Sequence, residues 1–288
     1  MIPIIQTLDI NQDGFVSDFK NSKLIWGGFD TSVISISSSN VKISNLDLKV
    51  REKHSKPIVV IGDKTKMINT IIFDSVNISS SSDLFSITNV KNILFSNCVF
   101  TTKDLRSNIF VLSNVYSISI INCRLSGGDS VIVNQDTVSG YLTRSKVYNA
   151  NYLFYFDGES STRWKVSKCH FNNIENMTGG KFDKDKNQFV TDSNQFHSSN
   201  SENLTNGLNQ YNDNFVISRD IFGDIGSIFG GGGSGSGSGG GTGGIGLGIF
   251  SKSFSITQIL IFIAVAFVIL VIIIVLIVFI VRIAKGRS

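Results

Sequence analysis

The chain has 288 residues, enough for one domain of ordinary size once a Gly-rich stretch and a hydrophobic C-terminal segment are set aside. Ser, Asn, Ile, Val and Phe are abundant, the 2 prolines are Pro3 and Pro57, and no Ala-, Leu-, Glu- and Lys-rich run favours a helix before residue 250, so the composition reads as strands and turns. The formal net charge is +4, but Lys252, Arg282, Lys285 and Arg287 flank the hydrophobic segment; the other 22 of the 26 basic residues balance the 22 acidic ones, which argues against nucleic acid as a partner.

Residues 1–23 are expected to cap the domain. Within them, DINQDGFVSDFK places Asp9, Asn11, Asp13 and Gly14 at the first, third, fifth and sixth positions of an EF-hand-type calcium loop, making Asp9, Asn11 and Asp13 candidate metal ligands. Lys20 stands at the twelfth position, where a bidentate acid should close the coordination, and too few residues precede the loop for an entering helix. The segment therefore reads as a turn into the first repeat.

Residues 24–175 carry a recurring six-residue pattern: ISNLDL (Ile43 to Leu48), FDSVNI (Phe73 to Ile78), FSNCVF (Phe95 to Phe100), IINCRL (Ile120 to Leu125), LTRSKV (Leu142 to Val147) and VSKCHF (Val166 to Phe171). Its third position falls at Asn45, Ser75, Asn97, Asn122, Arg144 and Lys168, at intervals of 30, 22, 25, 22 and 24 residues. The longest interval contains VREKHSKP (Val50 to Pro57), which reads as a loop inserted between two turns of the repeat. A second apolar strand precedes most instances: VISI (Val33 to Ile36), IVVI (Ile58 to Ile61), LFSI (Leu84 to Ile87), IFVL (Ile109 to Leu112), VIV (Val131 to Val133) and YLFYF (Tyr152 to Phe156).

A unit this small cannot enclose a core, but copies stacked about 4.8 Å apart pair every strand with the one above. The expected fold is an all-β, right-handed parallel β-helix solenoid, with an antiparallel sandwich as the competing architecture. Leu46 and Leu48, Val76 and Ile78, Cys123 and Leu125, and Cys169 and Phe171 should face inward, while Asp47, Asn77, Arg124 and His170 face out. Asn45, Asn97 and Asn122 should share one bend, where a short amide tolerates unusual backbone angles and bonds its neighbours above and below. Cys98, Cys123 and Cys169 fall at one repeat position and should form an inward column. A disulfide between Cys98 and Cys123 on adjacent coils stays open, an odd count leaves a thiol over, and no metal-ligand spacing appears.

This repeat resembles the pectin lyase-like β-helix families, in coil length and stacked Asn and Cys rather than in a signature motif. NCRLSGGDSVIV (Asn122 to Val133) is similar to the stretch of polygalacturonase-like enzymes in which an Asn-Cys strand leads to Gly-Asp-Asp. The resemblance implies glycosidic hydrolysis by carboxylates on neighbouring coils. Asp129 matches the first carboxylate, Ser130 replaces the second, and Asp104, about one coil earlier, matches a third. The family's downstream His-containing and Arg-x-Lys motifs are not at their expected spacing, and Arg163-Trp164-Lys165 comes too early. For a lyase, Asp157 and Glu159 in DGES are too few to hold calcium. Catalysis by Asp104 and Asp129 is thus the alternative to a non-catalytic reading, and no cofactor is expected.

Residues 176–229 are polar and aperiodic and read as an irregular cap or stalk. Residues 230–250 are a Gly/Ser-rich linker that can bury nothing. The unbroken apolar run Ile259 to Val281, inside a segment of residues 256–282, is long enough at about 1.5 Å per residue to cross a bilayer core of about 30 Å as one transmembrane α-helix. Residues 283–288 form a short basic tail. Arg282, Lys285 and Arg287 against Lys252 place the C-terminus in the cytosol and the domain outside. The start MIPIIQTLDINQDGF is no recognisable signal peptide, which keeps open a tail-anchored scaffold facing the cytosol. Sequons at Asn77, Asn176 and Asn203 are candidate glycosylation sites of an outside domain. The expected function is a single-pass, membrane-tethered recognition or adhesion module for carbohydrate or protein ligands.

Overall fold

The computed structural model describes residues 2–4, 6–28, 30–62 and 64–197. Among them all regular structure is strand. No helix of the described residues is long and apolar enough to cross a membrane, and the Ile259 to Val281 segment, the linker and Asn203 lie outside them.

The described residues wind through eight coils, each laying short strands on three successive faces. β1 (Ile2–Ile4) lies on face 3 ahead of the first coil, which is built from β2 (Leu8–Ile10) and β3 (Val16–Trp26). Coil 2 is β4 (Ile34–Ile36) and β5 (Val41–Val50); coil 3 is β6 (Val59–Ile61), β7 (Ile68–Asp74) and β8 (Asn77–Ser80). Coil 4 is β9 (Phe85–Ser96) and β10 (Val99–Thr102), and coil 5 is β11 (Phe110–Ile121) and β12 (Arg124–Ser126). β13 (Ser130–Asn134), β14 (Thr137–Thr143) and the start of β15 (Lys146–Phe156) make coil 6. The end of β15, β16 (Thr162–Ser167) and the start of β17 (His170–Gly180) make coil 7; the end of β17, β18 (Asn187–Asp192) and β19 (Gln195–His197) make coil 8. Every ladder is parallel. The fold is a parallel β-helix.

Stacking explains the sequence pattern. One rung column on face 1 runs Ile34, Val59, Phe85, Phe110, Ile132, Phe154, each the register partner of the next, and all are buried. The eight residues expected to point inward are buried, and Asp47, Asn77, Arg124 and His170 are not. Between faces 2 and 3 the chain bends at one left-handed residue in each of coils 2 to 8, Asn45 (φ 55), Ser75 (φ 57), Asn97 (φ 56), Asn122 (φ 54), Arg144 (φ 51), Lys168 (φ 55) and Ser193 (φ 52), and at two in coil 1, Lys20 (φ 50) and Asn21 (φ 61). These include all six third positions of the repeat. A left-handed residue shifts the inward alternation by one, which is why Ile43 and Leu46 both face the core across Ser44 and Asn45. Asn122 Nδ2 donates to Asn97 Oδ1 at 2.8 Å, and Asn97 Nδ2 to Asp74 Oδ1 at 2.9 Å, so the bend carries its own hydrogen-bond ladder.

Two further bends use the same chemistry. Asn40, Asn89 and Asn114 turn the chain between faces 1 and 2, and Asn149 and Asn173 between faces 3 and 1. The amides of Asn114 and Asn173 donate to Asn89 and Asn149 one coil below, at 2.6 and 3.0 Å.

The strands extend past both expected limits. Strands β2 and β3 already form a coil within residues 1–23, and β17 to β19 carry the stack to His197, where an irregular cap or stalk was expected. Repeat reading misses both because β3 fully buries only Trp26, and because Phe189 and Phe196, which continue the rungs of Trp164 and Phe171, stand among polar residues. The long interval is also divided differently from the expectation of one inserted loop. Lys49 to Val59 is four residues longer than its register counterpart Ser79 to Phe85, and Ile61 to Ile71 is four longer than Ile87 to Ile93. Half of the extra chain is therefore VREKHSKP and half lies at Gly62 to Met67.

The three cysteines line the inward column next to the bend, with Cys98, Cys123 and Cys169 at 1%, 3% and 0% exposure. All are free thiols. Cys98, Cys123 and Cys169 reach the carbonyls of Phe73, Phe95 and Leu142 in the coil below at 3.5, 3.6 and 3.4 Å, a shared geometry that makes the column structural. Burial pushes the Cys98 thiol up, and pushes Cys169 up to about 11.

Candidate functional site

Asp104 and Asp129 both lie at the corner between faces 3 and 1, in successive coils. Asp104 follows β10. One carboxylate oxygen accepts the Arg106 N–H at 2.9 Å, and the other is ion-paired with Lys53 from the loop two coils below. The Lys53 hydrogen bond, then the Arg106 N–H, hold the Asp104 carboxyl below its usual range. A general acid for glycoside cleavage needs the opposite shift.

Asp129 stacks on the corner of the preceding coil, its N–H donating to the Ser107 carbonyl at 2.8 Å. Its carboxylate accepts from Asn151 Nδ2 at 2.9 Å and from the Ser130 hydroxyl at 3.2 Å. The preceding Gly-Gly is a packing requirement. A Cβ on Gly127 would sit 1.9 Å from the Thr102 carbonyl oxygen, and one on Gly128 would sit 2.5 Å from that of Ser107. The sequence GGDS is thus a turn fitted to the coil beneath it, and both acids are spent on the scaffold.

The other sequence candidates are likewise dispersed. Asp9 lies in β2, exposed, and Asp13 accepts the Ser39 N–H at 2.7 Å, tying the N-terminal turn to coil 2. No cluster of three or more His, Cys, Asp or Glu that could hold a metal occurs among the described residues. Arg163 and Lys165 point away from the core, while Trp164 between them is buried against Gly140, where a Cβ would come within 2.3 Å of the indole. Asp157 accepts from Gln135 Nε2 at 3.3 Å. Asn77 is half-buried on face 3 with its amide on Asp47 at 3.0 Å, and Asn176 is half-buried near Asn151.

Stacking brings together two groups that no sequence pattern signals. Glu159, Lys181, Asp183, Lys186 and Asn187 line an open cleft of about 280 Å³ where the face 1 to face 2 loops of coils 7 and 8 meet. Lys186 lies 3.9 Å from Asp183 there. His54, in the inserted loop, is buried; its Nδ1 sits 3.2 Å from the Thr31 carbonyl and 3.7 Å from Asp30, and its N–H donates to Ser82 Oγ at 2.6 Å. Ser55 hydrogen bonds hold the Asp30 carboxyl below its usual range. His54 pins the loop to the corner of the stack, and the loop in turn delivers Lys53 to Asp104.

Comparison with protein-family models, with curated proteins and with solved structures returns no match to the chain.

Proposed function

We propose that the chain is a non-catalytic recognition or adhesion module, tethered to a membrane by one helix at Ile259 to Val281, with the β-helix domain outside and the basic tail in the cytosol. One observation supports it above the others. The outward side chains of eight coils stand in register rows on three faces, while both candidate catalytic acids, Asp104 and Asp129, are consumed by contacts within the stack. A rigid ladder of regularly spaced side chains suits an extended ligand, whereas catalysis needs a free acid and base held together. The apolar stretch of the anchor and the Arg282, Lys285 and Arg287 cluster supply the membrane part of the reading.

The test uses the full chain expressed in cells and then purified in detergent. It should sediment with membranes after an alkaline carbonate wash, and retain a polymer ligand without releasing new reducing ends. Release from the wash into the supernatant removes the anchor from this reading. Liberation of reducing sugar that is lost on Asp129→Asn replaces recognition with hydrolysis.

A further inference from the structure

We propose that the outer surface of face 3 in coils 5 to 7 binds a sulfated linear glycan lying along the solenoid axis; this names the ligand class of the recognition reading and rests on it. Arg124, Lys146 and His170 are consecutive register partners on that face. In-register strands lie about 4.8 Å apart, so the three side chains form one row at that spacing. Arg144 and Lys168, at the adjacent bend of coils 6 and 7, form a second row beside it. The segments 122–126, 144–149 and 168–173 that build this surface contain no acid.

Nothing in the described fold neutralises these cations. Among the described residues none of Arg124, Arg144, Lys146 and Lys168 is ion-paired. Asp192, on the next coil, accepts the Ser193 hydroxyl at 2.6 Å instead. Like charges placed opposite one another on neighbouring strands destabilise a sheet. A second, independent cost falls on the same coils. The left-handed bend is Asn, Ser, Asn and Asn in coils 2 to 5 but Arg144 (φ 51) and Lys168 (φ 55) in coils 6 and 7, residues with no short polar side chain to ease that conformation. Lys20 (φ 50) is left-handed at the same bend in coil 1, but only in coils 6 and 7 does the strained residue stand beside a row of unpaired like charges, as strain held for function does.

The geometry selects the ligand. Arg124, Arg144, Lys146 and Lys168 place four cations on three coils, so the strip offers more than one cation per rise of about 4.8 Å. A uronate chain carries one anion per sugar; a sulfated glycan carries more. Ser126, Tyr148 and Asn172 form the next row, with hydroxyl and amide groups for sugar hydroxyls. Arg124 lies over the Tyr148 ring at 5.0 Å, so this ring is covered rather than open to stack a base, as single-stranded nucleic acid would need. A membrane surface would want several apolar side chains beside the cations; here Val99, below Arg124, is one, and the other outward neighbours include Ser126, Asn149 and Asn172.

The test immobilises heparin, its desulfated form, polygalacturonate, neutral dextran and duplex DNA, and offers each the full-length protein in neutral detergent. Heparin should bind, weaken with salt, and lose at least about tenfold in affinity with the triple variant R124Q/K146Q/K168Q. Lys49→Gln, on the same face in coil 2, should leave affinity unchanged, and unchanged circular dichroism keeps misfolding out of the comparison. Equal binding to desulfated heparin, polygalacturonate or DNA overturns the sulfated class. Binding to neutral glycan alone, untouched by the triple variant, overturns this inference and leaves the recognition reading in place. Binding to none of these glycans overturns this inference.

Discussion

Replacing Arg144 and Lys168 with asparagine should stabilise the fold while weakening the proposed binding surface. A left-handed conformation costs an ordinary L-residue roughly 1 to 2 kcal/mol, and Asn less because its amide bonds locally. The same bend in coils 4 and 5 shows the alternative, with Asn122 donating to Asn97 at 2.8 Å. Asn at both positions would lower the strain and extend that ladder through coils 6 and 7. Taking about 0.5 kcal/mol of relief per site and a similar net worth for each exposed hydrogen bond, R144N/K168N should gain about 1 to 2 kcal/mol. For a domain of this size that is a rise in Tm of about 2 to 8 °C. Loss of charge repulsion would also stabilise, so the reference is R124Q/K146Q, which removes two charges of the same surface from ordinary strand conformations. Thermal unfolding followed by far-ultraviolet circular dichroism, on the full chain in one detergent, compares the two. If R144N/K168N melts no higher than R124Q/K146Q, the bend is not strained and the argument from Arg144 and Lys168 fails.

Phe95 is fully buried, with ring centroids 5.2, 5.0, 5.6 and 4.8 Å from Phe73, Phe85, Phe100 and Phe110, so Phe95→Ala should cost about 3 to 5 kcal/mol by urea unfolding. A loss under about 1 kcal/mol would mean that these five rings are not a packed cluster. Asp104 is held below the ordinary carboxyl range chiefly by Lys53, so its contribution to stability is full above its unfolded value of about 3.9 and disappears as pH falls through the lower folded value. Lys53→Met should bring the Asp104 carboxyl back up in an NMR titration, and an unmoved resonance would remove the loop contact from the account. The three buried thiols should resist iodoacetamide at pH 8 in the native protein and all react in denaturant, where the burial that raises Cys98 and Cys169 is lost. Rapid native labelling of any of them would contradict the inward column.

The solenoid is legible in the sequence because its bend and its alternation are local. In ISNLDL the apolar residues fall at 43, 46 and 48, a phase break that only a left-handed residue between two strands explains, and Asn45 is that residue. Where Asn is replaced by Arg144 or Lys168, the column is still found because Leu142, Val147, Val166 and Phe171 keep the phase. The other bends are harder to read, since only Asn40, Asn89 and Asn114 mark one and Asn149 and Asn173 the other. The first and last described coils escape for a different reason: Phe189 and Phe196 continue the rungs of Trp164 and Phe171, but each stands among polar residues that hide the alternation. Site geometry is less legible still. Asp104 meets Lys53 because of the length of an inserted loop, and Glu159 meets Lys181 and Asp183 across adjacent coils, which are separations that no local pattern encodes.

Formal neutrality of residues 1–251 also conceals what stacking does to charge. A solenoid converts residues about 22 to 25 apart in the chain into neighbours, so a charge balance summed along the sequence says little about any one face. Acids occupy Asp18, Asp47 and Asp74 in coils 1 to 3, where they accept amides of Asn45, Asn77 and Asn97. In coils 5 to 7 the column of Asp47 continues as Arg124, Lys146 and His170, and the column of Asp18 and Asp74 as Ile121, Thr143 and Ser167, so the acids give way to cations or to uncharged residues. Inward residues are fixed by the rung above and below, whereas outward residues are free to vary, so packing does not require the run of like charge across coils 5 to 7. Repulsion between register partners falls off within about a Debye length at moderate salt. The strip should therefore cost most stability in dilute buffer, and a bound polyanion should stabilise the fold most under the same condition.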